Sequence, residues 1–349
     1  MIRAAVIGVG AMGKHHARVY NDLDNVELVA VADPDEARRR TVAGRYKIAA
    51  YADHEDLLKQ AEVDVVSVAV PTVLHREVAL AAIEHGVHLL IEKPIAFTVT
   101  EAQEIIAHAA TAGVTLAVGH VERFNPAVSE LKCRLEAGAL GRIFQIHARR
   151  LSPFPHYVRD VGVVIDLATH ELDIMCYLVG DQIERVYAET RRNVHERYED
   201  MLSGVIRFGN NVLGVLDINW LTPTKVRELR ITGEQGMFLV DYLDQDLYFY
   251  ENSEAPSRWD TMALFKGVEE GNVLKIRVSK IEPLEAELRA FAGAVVNGSG
   301  PIVTGVDGLR ALGLARLLIA SAEKGQVLDV QKEARRRGWL GMLGGVVLR

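Results

Sequence analysis

From residue 1 to about 120, short apolar runs alternate with longer stretches in which apolar positions recur every three or four residues. The first pattern suits strands buried on both faces, the second helices with one apolar stripe. It predicts strands over residues 3–7, 26–32, near 49, 65–70, 88–91 and 115–118, with helices in the gaps. Gly86 and Gly113 stand where helices should stop before the next strand, because glycine turns left-handed just past a helix end without a Cβ clash. Strands and helices in strict alternation imply an α/β domain with a doubly wound parallel sheet.

Beyond residue 120 the pattern changes. Asn125-Pro126 opens a helix running to about 137, Gly138 and Gly141 end it, and 142–150 reads as a strand. A second helix is expected over 164–178. Runs rich in β-formers follow at 183–192, 201–208, 212–220, 225–232, 237–241 and 246–250, separated by Gly, Asn and Pro. Strands in succession without helices between them predict a mainly antiparallel sheet in an α+β domain. Helices over 282–296 and 307–323 close it.

A length of 349 residues exceeds one small core. The expected division is 1–122, 123–330 and a C-terminal tail 331–349, with the two domains enclosing a cleft. Hydrophobic residues at 49% and charged residues at 25% exclude disorder and coiled coil as the main architecture. A net charge of −7 disfavours nucleic acid as the principal partner. No uncharged apolar run approaches the roughly 18 residues of a membrane span, and the opening MIRAAVIGVGAMG is too short and glycine-broken for a secretory leader. Two cysteines, Cys133 and Cys176, make no disulfide framework and fit a reducing cytosol. A cytoplasmic chain without a membrane partner is the expectation.

Gly8, Gly10 and Gly13, with Ala11 and Met12 between them, spell G-x-G-x-x-G after the first strand and at the head of a helix. Glycines there allow a tight turn and close approach of backbone to a pyrophosphate, and the free amides at the helix start attract its charge. Asp33 ends the second strand 20 residues after Gly13, where a carboxylate accepts hydrogen bonds from an adenosine ribose and repels a 2′-phosphate. NAD is therefore expected over NADP, with Arg38 and Arg39 close enough in sequence to supply a countercharge. The alternative is an ordinary glycine turn with an incidental aspartate.

Glu92, Lys93 and Pro94 follow the fifth strand, at the carboxyl edge where open α/β sheets bind ligands. Lys93 there can hold a substrate hydroxyl and favour its alkoxide, or it can simply pair with Glu92 or water. In GVVIDLATHELDIMCYLVG, Asp166, His170 and Asp173 fall at i, i+4 and i+7 and share one helical face. A histidine one turn from a carboxylate suits a general base. A surface charge pair is the bland alternative, and a metal site is disfavoured because no second histidine sits at a ligand-like spacing.

With the glycine turn, EKP and this helix in order, the sequence resembles the family of glucose-fructose oxidoreductase, inositol dehydrogenase and MocA over nearly its whole length. The resemblance implies NAD(P)-linked oxidation of a sugar or polyol hydroxyl, and an open sheet in the second domain that builds homodimers or homotetramers. It assigns Lys93 and His170 to the reacting hydroxyl, with Asp166 as orienting or proton-sharing partner. It places Pro71, Thr72, His75 and Glu92 along the cofactor, although Thr72 also stands where it can cap a helix. VGHVERFNPAV, residues 118–128, is similar to UDP-N-acetylglucosamine 3-dehydrogenase members of the family, which implies substrate contacts from Arg123 and Asn125. Asn125 as a helix cap and Arg123 in an interdomain ion pair are the competing roles. A diphosphate substrate needs cations, for which Arg123, Arg149, Arg150 and Arg159 are candidates. A free-sugar or inositol dehydrogenase and a silent NAD-binding regulator are the rival functions. Residues 331–349 join Arg335, Arg336 and Arg337 to a glycine-rich apolar end, expected to be disordered or docked on a neighbouring subunit rather than on a membrane.

Overall fold

A computed structural model of the chain describes residues 1–155, 161–180, 182–253, 271–339 and 341. They divide into two units, one of residues 1–124, 281–316 and those after 330, the other of 125–280 and 317–330. The contiguous boundaries expected from sequence differ from this division, since 281–316 and the described tail return to the first unit.

The first unit is a six-stranded parallel sheet of β1 (Ile2–Ile7), β2 (Val26–Ala32), β3 (Ala49–Tyr51), β4 (Val65–Val68), β5 (His88–Glu92) and β6 (Leu116–Gly119), in the order β3-β2-β1-β4-β5-β6. The direction of winding reverses between β1 and β4, which leaves a crevice at their carboxyl ends. Helices α1 (Gly13–Asp22), α2 (Glu36–Tyr46), α3 (His54–Gln60), α4 (His75–Glu84) and α5 (Val99–Ala112) connect the strands. The core explains the return of residue 281 onward. Leu284, Leu288 and Phe291 of α8 (Pro283–Asn297) pack with Tyr20 of α1 and with Ala4, Val6 and Val65 of the sheet. Burying a Leu or Phe fully contributes about 1.5–3 kcal/mol, and a helix with these positions facing out would forfeit it.

The second unit begins with α6 (Pro126–Glu136). Its sheet runs β14 (Val273–Ile276), β13 (Asp246–Glu251), β12 (Gly236–Asp241), β11 (Val226–Gly233), β7 (Ile143–Leu151), β10 (Leu213–Asn219), β9 (Met201–Phe208), β8 (Ile183–Arg191) and β15 (Leu328–Asp329). Neighbours pair antiparallel except β7 with β10, which run parallel. One face is covered by α7 (Thr169–Val179) and by the later turns of α9 (Gly305–Lys324). Met175 lies over Gly214 of β10 and Leu318 over Gly204 of β9, each 3.5 Å from where a Cβ would stand. On the other face Val205 is 42% exposed, and alternate residues of the central strands are half-buried at most.

The described part of the tail packs on the first unit, while residue 340 and residues 342–349, most of the glycine-rich end, lie outside the described residues. After α10 (Val330–Arg336), Trp339 is buried against Gly313, where a Cβ would come within 2.7 Å of the indole. Gln103 donates to the Gly338 carbonyl at 2.9 Å, and Glu333 holds Arg336 and Arg337 at 2.6 and 3.4 Å. Among the described residues, no helix is long and apolar enough to cross a membrane.

Candidate active site

The turn after β1 is built from backbone. Gly8 has φ of +87°, and a Cβ there would lie 2.7 Å from the Ala69 carbonyl oxygen. At Gly13 a Cβ would run into the Gly8 carbonyl, so the head of α1 closes directly on the turn. Gly10 has open space around its Cβ position, and Ala11 and Met12 beside it are exposed. Asp33 is buried at the end of β2, and its carboxylate accepts from the Val9 amide at 2.9 Å and the Asp35 amide at 2.9 Å. Arg38 pairs with Asp35 at 3.4 Å, and Arg39 donates to the Pro34 carbonyl at 3.1 Å. The countercharge considered for a 2′-phosphate is thus already engaged beside the turn. An uncovered glycine turn, free amides at a helix head and a fixed carboxylate are what a dinucleotide requires.

At the end of β5, Glu92 accepts from the Lys93 amide at 3.2 Å and faces His16 of α1, with Glu92 Oε1 2.8 Å from His16 Nε2. Burial opposes ionisation of Glu92, but the His16 hydrogen bond and the charges of His16 and Lys93 outweigh it and hold the carboxyl below its ordinary value. Lys93 is half-buried. His75, buried, lies 2.9 Å from the Pro94 carbonyl through Nδ1 and 3.0 Å from the Val70 carbonyl through Nε2, so it ties the loop after β4 to the loop after β5. Burial pushes its pKa below the ordinary histidine value against those carbonyls. Thr72 is also buried, in a 3₁₀ turn whose cap position is Pro71. Its side chain caps neither that turn nor α4, which removes the capping alternative.

In the second unit, the helix expected over 164–178 has two geometries. Val164–Ala168 forms a π-helical turn and α7 follows as regular α-helix. Asp166 lies in the π turn, where bonds close over five residues rather than four, so its relation to His170 departs from simple i, i+4 stacking. His170 and Asp173 are buried and Asp166 is half-buried. The start of this segment is held by Glu199, whose main-chain oxygen accepts from the Val163 amide at 2.9 Å and whose side chain accepts from Val164 at 3.2 Å. Its middle is held by Glu171, which accepts from Arg150 at 2.8 Å and from the Tyr242 hydroxyl at 3.2 Å.

Several residues expected at the substrate are engaged in the fold. Arg123 is buried and pairs with Asp307 at 3.2 Å within the first unit, rather than between domains. Burial raises the Asp307 carboxyl, but Arg123 and bonds from Thr304 bring it below its ordinary value. Asn125 caps α6 by accepting from Ala127 at 3.1 Å, and it donates to the Tyr242 carbonyl at 3.1 Å. Arg150 is committed to Glu171. Arg149, on the opposite face of β7, pairs with Asp217 and Glu228 at 3.5 and 3.2 Å. Arg159 lies outside the described residues. The contributions of His16, Ser67, Glu199 and Glu171 were not foreseen. A histidine three positions after Gly13 was the one local signal, while the others depend on segments far apart in sequence.

Comparison with known proteins agrees with this architecture. Residues 2–120 match the family described as oxidoreductase family, NAD-binding Rossmann fold, and residues 128–239 match the GFO/IDH/MocA C-terminal domain. The chain is 32% identical to UDP-N-acetylglucosamine 3-dehydrogenase of Acidithiobacillus ferrooxidans, over 90% of this chain and 95% of that one. A solved structure of that enzyme superposes with a TM-score of 0.82, covering 93% of this chain and 98% of the other. Myo-inositol 2-dehydrogenase of Thermotoga maritima is 27% identical over 95% of this chain and 99% of its own. An NAD-binding Rossmann unit at residues 2–120, a mostly antiparallel second unit and these relatives place the chain in the Gfo/Idh/MocA family of NAD-dependent dehydrogenases acting on sugar or polyol hydroxyls.

Proposed function

We propose that the chain oxidises a secondary hydroxyl of a sugar, with the 3-hydroxyl of UDP-N-acetylglucosamine, yielding the 3-keto sugar, as the preferred substrate. The identity of 32% over 90% of the chain to a UDP-N-acetylglucosamine 3-dehydrogenase is the observation that carries this reading. Gly8, Gly10, Ala11, Met12 and Gly13 would take the pyrophosphate and Asp33 the adenosine ribose, which favours NAD over NADP. Pro71 and Lys93 line the nicotinamide side in this reading, while Thr72, His75 and Glu92 support the loops around it. Bound NAD supplies the hydride acceptor.

In the proposed reaction Lys93 and His170 are the catalytic side chains. The Lys93 ammonium holds the hydroxyl oxygen and stabilises negative charge as the C–H bond breaks. His170 takes the hydroxyl proton. Asp166 orients the ring or shares that proton. The protein is proposed to work in the cytoplasm as a homodimer or homotetramer, with the uncovered sheet face around Val205, Leu239 and Tyr248 as the contact surface.

A free-sugar or inositol dehydrogenase is the second reading. It is favoured by the engagement of Arg123, Arg149 and Arg150 with carboxylates, which leaves those three cations committed rather than offered to a diphosphate. Purified protein with NAD, assayed by absorbance of the reduced cofactor against UDP-N-acetylglucosamine, myo-inositol and free hexoses, separates the two. Turnover confined to UDP-N-acetylglucosamine supports the first reading, and turnover confined to unphosphorylated polyols replaces it. Tight NADH binding without turnover on the whole panel would instead revive a silent cofactor-binding regulator.

A further inference from the structure

Within the first unit, a chain of buried polar groups ends beside Lys93. His16 is fully buried on α1, with Nε2 2.8 Å from Glu92 Oε1 and Nδ1 3.0 Å from Ser67 Oγ. Ser67 Oγ is in turn 2.9 Å from the Tyr20 hydroxyl. The direction of the bond to Glu92 follows from chemistry. An ionised carboxylate only accepts, so His16 Nε2 donates to Glu92. Nδ1 pairs with the Ser67 hydroxyl, and Ser67 with the Tyr20 hydroxyl, whichever state the second ring nitrogen takes. The chain of contacts ends on Glu92.

The other Glu92 oxygen accepts from the Lys93 amide at 3.2 Å. Gly119, opposite Glu92 in the β5–β6 register, makes room for this carboxylate, since a Cβ there would lie 3.1 Å from Glu92 Oε2. On the other side of Lys93, His75 contacts the Pro94 carbonyl at 2.9 Å. The sheet ladder already pairs β5 with β4 and β6 through main-chain atoms. A polar network buried among apolar strands gains little stability over apolar residues of the same shape, so its value lies in the geometry it specifies.

We propose that His16 is a positioning residue for the reaction: by holding the Glu92 carboxylate it fixes the main chain at Lys93 and so the placement of the lysine ammonium over the reacting hydroxyl. This rests on the assignment of Lys93 to that hydroxyl. His16 touches no reacting atom and acts through Glu92, with Ser67 and Tyr20 fixing the ring.

The test uses the full-length protein, NAD and whichever of UDP-N-acetylglucosamine or myo-inositol the wild type oxidises. Displacing a group by an ångström costs up to about 100-fold in rate, so His16→Leu is expected to lower kcat about 10- to 100-fold. KM and NADH affinity, measured by fluorescence titration, stay near the wild-type values. His16→Gln restores the donor to Glu92 and recovers most of the turnover. Ser67→Ala, which loosens the ring while leaving Glu92 its partner, gives a smaller loss of kcat. A purely structural histidine would lower thermal stability without this separation of kcat from KM and without rescue by glutamine. Wild-type turnover in His16→Leu overturns the proposal, as does failure of His16→Leu to fold combined with wild-type turnover in Ser67→Ala. Lys93→Ala separates the two assignments. If it retains turnover, the role of Lys93 itself fails; if it loses turnover while His16→Leu does not, only the positioning role fails.

Discussion

In the first unit the atoms shaped for the ligand are main-chain atoms: the turn at Gly8, the free amides before α1 and a carboxylate that braces the turn through Val9. In the second unit the proposed reactive groups are side chains on a helix, and their placement depends on partners distant in sequence, with Glu199 at the start of the segment and Arg150 and Tyr242 on Glu171. A turn of glycines needs little but space, so it can be specified by a few local residues. A catalytic helix must be held against sliding and rotation, and buried charges do this at the cost of needing complete partners. The two regions should therefore fail differently when altered.

The largest expected effect is chemical. His170→Ala should lower turnover by about 10²- to 10⁴-fold while NADH binding by fluorescence titration stays close to wild type, because the proposed base is in the second unit and the cofactor turn in the first. Near-normal turnover would remove His170 as the base. Next in size is the brace beneath it. Arg150 and Glu171 are 2% and 0% exposed, and Glu171→Gln removes a buried carboxylate from the guanidinium, for an expected loss of about 3–5 kcal/mol in urea unfolding. A loss below about 1 kcal/mol would mean that the pair is not what holds the helix.

Smaller effects come from capping and from titration. Asn125→Ala removes the α6 cap and should cost about 1 kcal/mol with turnover largely kept; a collapse of turnover at unchanged stability would return Asn125 to the substrate site. Asp307 and Glu92 in the folded chain sit below their ordinary values, so the unfolded chain binds protons more readily. The stability they contribute is present above about pH 4 and is lost as pH falls through the unfolded values toward the folded ones. Melting temperatures measured from pH 7 down to pH 3 should hold and then fall in that acidic window, and a flat profile would contradict it. Arg123→Met should shrink the part of the fall that belongs to Asp307.

The glycine turn and the strands of the first unit were legible because each rests on a short pattern: apolar runs bounded by turns, and glycines where φ is positive. The helix bearing His170 was legible as a helix but not in its π turn, which no spacing of apolar residues announces. Arg123, Asn125 and Arg150 look like ligand contacts in a linear reading because they are polar residues near strand ends. Only packing shows that Asp307, Ala127 and Glu171 take them.

By itself the sequence determined the alternation of strands and helices that makes a parallel sheet, the dinucleotide turn and the residue types that can move a proton, since these follow from local stereochemistry and periodicity. The tertiary structure alone decided that α8 and the described tail rejoin the first unit, and that β7 and β10 run parallel. It also decided that His16 reaches Glu92 across 76 positions. Each of these depends on which buried surfaces and polar groups find partners at long range, a balance of desolvation against pairing that a one-dimensional pattern does not encode.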